Sequence, residues 1–301
     1  MNHAKIGRIN LPLSAPQPKN FFKRVLEVLD GQMTEPVPFG WFHLIFLTLT
    51  VLACAFAVCK CRNITEKQLR KVLLITSITL IVLEIYKQIN SAYSVEEDAW
   101  SYTWSAFPFQ FCSSPLYIMP LAVVIRRERS RNRLYAFLAS YCLVAGLVVM
   151  LYPSTVFTET VGVNFQTMLH HGAMIVIAVL LLASNRVCLN FRGLISALPV
   201  FFILCAMAMA MNGLYILWGD SEQNFNMFYI SPAGEPPADF LVTLLEYIPY
   251  IIYLLGYLAF FTLGAYLVLV FAGYLEKKYA KNDKLEESEN TNNQTVKEDL
   301  Q

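Results

Sequence analysis

Charge is scarce in this sequence, and it is missing altogether from long stretches. Only 15% of the 301 residues are Asp, Glu, Lys or Arg, against 56% that are hydrophobic. Three connectors, residues 94–106, 153–165 and 219–241, hold no Lys or Arg at all. The signatures of common metal and phosphate sites are also absent. There is no HExxH, no CxxC and no glycine-rich phosphate loop, so zincin, zinc-ribbon and P-loop chemistry have no support. Only 4 histidines are present, and the adjacent pair His170–His171 lacks the usual ligand spacing. No metal or cofactor is therefore expected. No nucleic-acid motif occurs. The 7 cysteines avoid these three connectors, which argues against a disulfide framework. The first 20 residues are polar and proline-rich with no apolar core, so a cleavable signal peptide is not expected. There is no internal repeat, which weighs against an inverted-repeat transporter.

What is present is apolar sequence. Mean hydropathy is +0.47, more than a soluble domain of this size can bury. Seven runs are near the ~20 residues a membrane-spanning helix needs: 38–59, 71–93, 107–125, 134–152, 166–184, 194–218 and 242–274. The expected fold is an all-α integral membrane protein, a seven-transmembrane-helix bundle occupying residues 36–276. Residues 1–35 form an N-terminal segment in which Lys19–Asp30, KNFFKRVLEVLD, reads as an interfacial amphipathic helix. Residues 277–301 are polar, charged and free of aromatics after Tyr279, and should have no fold of their own.

The connectors set the orientation. Basic clusters follow the first run (Lys60, Arg62, Lys67, Arg70, Lys71), the third (Arg126, Arg127, Arg129, Arg131, Arg133), the fifth (Arg186, Arg192) and the seventh (Lys277, Lys278, Lys281, Lys284). The positive-inside rule then puts the C-terminus in the cytoplasm and the N-terminus outside. Lys5, Arg8, Lys19, Lys23 and Arg24 oppose this placement, and Glu27, Asp30 and Glu35 partly offset them.

Polar residues inside the runs share a depth. His43, Glu84, Cys112, His170, His171, Asn212 and Glu246 all fall in the half near the connectors without Lys or Arg, although the chain alternates direction. Ionisable groups in hydrocarbon are costly and mark function by default. Cys112 lies between Pro108 and Pro115, with Pro120 beyond, so its helix should be bent or broken there. His170 and His171 point about 100° apart on a helix. Only one of them can face the cysteine, and either is a candidate base. Glu84, Lys87 and Gln88 line one face of the second run. Each has a plainer reading: a packed thiol, a hydrogen-bonded core histidine, a structural ion pair, an interfacial His43 beside Trp41.

The sequence also resembles the YwaF family of bacterial multi-pass membrane proteins, which looks related to the eukaryotic transmembrane protein 164 acyltransferases. FGWFHLIFL is similar to the family's first-helix pattern, with its histidine at His43, and the family's second-helix glutamate corresponds to Glu84. FPFQFC is similar to a Pro-x-Gln-x-Cys signature at Pro108, Gln110 and Cys112. NFQTMLHH resembles a Phe-Gln stretch followed by a histidine, in a register that favours His171. QNFNMFYISP resembles an Asn-Tyr-Met motif, with Asn224 or Asn226 as the equivalent residue.

The resemblance implies acyl transfer on phospholipids through a Cys and a His, and the expected function is a phospholipid acyltransferase or lipid ester hydrolase near the outer leaflet of a bacterial plasma membrane. Cys112 would be the nucleophile and His171, or His170, the base. Glu84 or His43 would orient that base. Asn212, Asn224 or Asn226, or N–H groups around Ser113, would hold the oxyanion. The expected partners are membrane lipids, a phospholipid or another acyl ester, and no nucleic acid. A transporter or receptor-like binding bundle using the same cluster, with Glu84 and Lys87 as a charge relay, is the rival expectation.

Overall fold

The computed structural model describes residues 21–94, 99–219, 224–236 and 238–298. Lys19 and Asn20 of the expected interfacial helix lie outside them. The described chain is mostly helical. Its helices are α1 (Phe21–Leu29), α2 (Trp41–Lys60), α3 (Glu66–Ala92), α4 (Pro115–Val124), α5 (Glu128–Leu151), α6 (Val161–Ala183), α7 (Phe191–Trp218), α8 (Asp239–Tyr247) and α9 (Tyr250–Glu298). A two-residue antiparallel pair, β1 (Tyr93–Ser94) with β2 (Ala99–Trp100), sets Tyr93 opposite Trp100.

Six of these helices are long and apolar enough to cross a membrane, where seven were expected: α2, α3, α5, α6, α7 and α9 to Tyr279. The third apolar run becomes a shorter element, Phe111–Val124. At 1.5 Å per residue it reaches about 21 Å, less than the ~30 Å hydrocarbon core. Proline chemistry explains its form. Pro115 sits at the first position of α4, where its missing N–H is harmless, and a 3-10 turn, Phe111–Ser113, precedes it.

Two further boundaries differ from expectation. The run 242–274 is interrupted between α8 and α9. Ile248 adopts φ −120° and ψ 143°, as the residue before a proline prefers, and Pro249 cannot donate to a preceding turn. The tail expected to have no fold of its own continues α9 to Glu298. No proline or glycine stands between Gly273 and Glu298 to stop it.

The core is built on α5. Every residue from Leu134 to Gly146 is buried, the pattern of a helix surrounded by others. It packs against α4, α6, α7 and α9, while α2 lies on α6. A Cβ at Gly146 would meet Ile175 at 3.1 Å and the His171 carbonyl at 3.2 Å, so α5 and α6 approach closely where the histidines lie. Outward faces of α2, α3 and α9 carry exposed Leu49, Phe56, Val82, Leu255 and Phe260, a surface suited to lipid rather than water.

The two ends differ in chemistry. At the basic end, Glu66 takes Arg131 Nε at 2.9 Å, Arg186 Nη1 at 3.4 Å and the Tyr135 hydroxyl at 3.0 Å. At the other end the segment after α1 straps the connector before α6: Met33 N–H donates to Glu159 O and Val161 N–H to Gly31 O. Tyr86 and Asn90 of α3 reach the same strap through Leu29 O and Asp30 Oδ1.

Candidate functional site

Cys112 occupies the 3-10 turn before α4, at the end opposite the Glu66 node. Its neighbour Phe111 fixes the turn by packing edge-on to Phe137, Phe201, Phe228 and Phe261, with ring centroids 4.4 to 6.2 Å apart. Cys112 as a residue is half-buried, and its sulfur is enclosed.

Three amide side chains hold a buried loop, residues 224–236, against this turn. Gln110 Nε2 donates to Asn226 O and its Oε1 accepts from Phe228 N–H, both at 3.0 Å. Asn212 grips Met227 from both sides, donating to its carbonyl at 3.0 Å and accepting from its N–H at 2.7 Å. Asn226 donates to Glu235 O and accepts from Ser231 N–H. The clamp supports a strained backbone, since Phe228 (φ 59°) and Tyr229 (φ 56°) are consecutive left-handed residues with side chains. Each such residue costs on the order of 1–3 kcal/mol and persists only where its surroundings over-determine it. Replacing Asn212 with Ala strands a buried N–H and a buried carbonyl. The expected loss is about 2–4 kcal/mol, measured as a lower unfolding midpoint with faster proteolysis between Gly219 and Ala238.

Asn212 and Asn226, expected as candidate oxyanion donors, each spend their oxygen and one amide hydrogen on the loop's main chain. Gln110 is committed in the same way. Asn224 is exposed at the loop's edge, and Glu246 is exposed on α8.

A connected polar cluster lies beside the turn. Glu84 is buried and accepts Lys87 Nζ at 2.8 Å and Gln88 Nε2 at 2.7 Å on one oxygen, and Gln166 Nε2 at 3.1 Å on the other. Gln88 also donates to Ala106 O at 2.7 Å and accepts the Tyr102 hydroxyl at 2.6 Å. The cluster thus joins α3, α6 and the segment leading to Cys112. Glu84 and Lys87 both lie within electrostatic range of the thiol.

Hydrogen-bond partners assign the histidines. His170 Nε2 lies 2.9 Å from the Cys112 carbonyl and must donate to it. Its Nδ1 is then the basic nitrogen, and it is buried with no partner. His171 turns back on its own helix, with Nδ1 2.7 Å from Thr167 O, and its Nε2 is also buried and unpartnered. His43 is fully buried and has both nitrogens occupied by main chain: Nδ1 accepts Phe39 N–H at 2.9 Å and Nε2 donates to Met150 O at 2.9 Å. It ties α2 to the end of α5 and has no nitrogen left to orient another base. Glu84 likewise bonds Gln166, one turn before His170, and no imidazole.

Two residues that the sequence reading did not single out belong here. Burial pushes the Tyr229 hydroxyl up, and the nearby Cys112 thiol and Tyr253 act in the same direction. Burial, then the charge of Glu84, raises Tyr102. The signal for Tyr229 was the uncharged aromatic run FNMFY inside a nominal loop, which only a buried connector can carry. No group of three or more His, Cys, Asp or Glu side chains fit to hold a metal is gathered among the described residues.

A model of the TMEM164 family matches residues 38–270. No curated protein and no solved structure matches the chain.

Proposed function

The chain belongs to the TMEM164 family, and from that membership and the site geometry we propose that it is a membrane-embedded acyl-chain enzyme, a phospholipid acyltransferase or lipid ester hydrolase. The observation that carries the reading is the bond from His170 Nε2 to the Cys112 carbonyl, which leaves a buried, unshared Nδ1 on an imidazole anchored at the nucleophile's own residue. In this reading His170, the imidazole bonded to the Cys112 main chain, is the base, whereas His171, with an equally unshared Nε2, bonds its own helix.

The reaction runs through a thioester. The Cys112 thiol gives its proton to His170 Nδ1 as the sulfur attacks the ester carbonyl. The C–O bond breaks, and the leaving alkoxide takes that proton. His170 then removes a proton from the acceptor hydroxyl, or from water, which attacks the thioester. The C–S bond breaks and the sulfur is protonated again. We assign the oxyanion donor to Tyr229, whose buried hydroxyl lies within electrostatic range of the Cys112 thiol. Glu84, compensated by Lys87, anchors α6 through Gln166 and so positions His170. A lipid ester lies at the interface with its chain in hydrocarbon, which matches a cluster confined to one end of the bundle.

In this reading the element Phe111–Val124 is the seventh crossing, and the chain is a YwaF-like protein of a bacterial plasma membrane. The basic end faces the cytoplasm and the strapped end faces outward. The strap supports this topology, because residues 29–33 share an end with the connector before α6, which lacks Lys and Arg.

The buried Glu84–Lys87 pair equally suits a ligand-binding bundle, and covalent chemistry separates the two readings. Incubating the purified protein in lipid with an acyl-ester or lipid-like electrophilic probe, then mapping adducts by mass spectrometry, should place a hydroxylamine-labile acyl group on Cys112. An unmodified Cys112 with tight, reversible lipid binding would favour the bundle.

A further inference from the structure

The basic end holds a cavity of 410 Å³ that the acyl-chain chemistry leaves unused. It opens between the start of α5, the α6–α7 connector and the first turns of α7, and its volume suits a small ligand. Three guanidinium groups line it, those of Arg129, Arg186 and Arg192, with Asn132 and Ser196 as uncharged donors and Glu128 as the one acid of the lining. Arg129 and Arg192 have no acidic partner among the described residues. Arg186 is held in place by Ile64 O at 2.5 Å and Glu66 at 3.4 Å, yet its Nε is buried without an acceptor.

The walls are preformed. α6 ends in a Schellman turn, with Asn185 at φ 54°, Arg186 N–H on Leu181 O and Asn185 N–H on Leu182 O. The connector then doubles back so tightly that a Cβ at Gly193 would fall 1.9 Å from Cys188 O, and one at Gly273 would fall 2.6 Å from Leu189 O. Asn190 already takes the first α7 donors, the N–H groups of Arg192 and Gly193. Anion attraction therefore comes from the guanidiniums, whose planar donor forks match phosphate oxygens. Phe191 and Ile195 of α7 are exposed at the same level, apolar surface on which acyl chains can lie.

We propose that this cavity binds a phosphate group, carried by an anionic phospholipid or free. It is a second site, independent of the cysteine chemistry. The test uses the purified full chain in neutral detergent. Native mass spectrometry compares retention of dioleoyl phosphatidic acid with that of dioleoyl phosphatidylcholine, and unfolding midpoints are followed against inorganic phosphate and against chloride of matched ionic strength. The variant is Arg129→Gln with Arg192→Gln. Its control is Arg126→Gln with Arg133→Gln, which removes equal charge outside the cavity. At about 1 kcal/mol per surface cation, the variant should lose roughly tenfold or more of its phosphate-dependent binding, and the control far less. Retention of phosphatidic acid without a response to inorganic phosphate identifies a lipid headgroup, whereas a midpoint rise with inorganic phosphate identifies the free ion. Equal losses in variant and control, or no preference for phosphatidic acid together with no phosphate response, overturns the proposal.

Discussion

Acyl transfer falls to background in Cys112→Ala, a drop on the order of 10³-fold or more, while the protein stays folded. The size follows from the proposed scheme, in which that sulfur alone forms the covalent intermediate. The fold survives because truncation removes one heavy atom from a residue that is only half-buried as a whole, which costs about 1 kcal/mol. His170→Gln sharpens the test. A glutamine amide can still donate to the Cys112 carbonyl, so the anchor is kept while the base is lost, and the expected fall is about 10²–10⁴-fold. His171→Gln should leave most activity, since that imidazole bonds its own helix. Turnover assays on reconstituted protein, with unfolding midpoints alongside, measure both halves. Wild-type turnover in Cys112→Ala would remove the nucleophile from the scheme.

Glu84→Leu destabilises the protein by about 3–5 kcal/mol, the usual consequence of stranding one partner of a buried ion pair. Lys87, whose side chain is only 24% exposed, loses its countercharge. Gln88 and Gln166 lose their shared acceptor at the same time. Against a typical total stability of roughly 5–15 kcal/mol, the change is large. Glu84→Leu combined with Lys87→Leu should recover most of it, because no charge is then left unpaired. Denaturation midpoints of wild type, both single variants and the double variant give the coupling. If Glu84→Leu alone matches the double variant, the carboxylate is not compensating Lys87.

Much of the architecture was legible because hydrophobic length and charge asymmetry are long-range signals that survive local detail. The six long helices coincide with expected apolar runs. The breaks were harder to read. Pro115 and Pro120 were recognised as interruptions, but Pro249 was passed over because apolar residues flank it on both sides. Within the site, depth gathered Glu84, Cys112 and His170 onto one end. Composition does not tell which nitrogen of a histidine is free, or whether an amide is committed to a backbone. His43, Asn212 and Asn226 share the depth of the cluster yet spend every polar atom on main chain. Tyr229 escaped notice because its position depends on two consecutive left-handed residues, a conformation with no signature in a sequence without glycine there.

Gln110 precedes Cys112 by two positions and grips the two peptide groups that flank Met227, in the loop that carries Tyr229. One side chain therefore yokes the sulfur-bearing turn to the phenol-bearing loop, so that the two travel as a unit. A displacement of either element is therefore transmitted to the other through a single amide. In the proposed chemistry, a shift of the loop to admit an acyl chain would carry the nucleophile's turn with it.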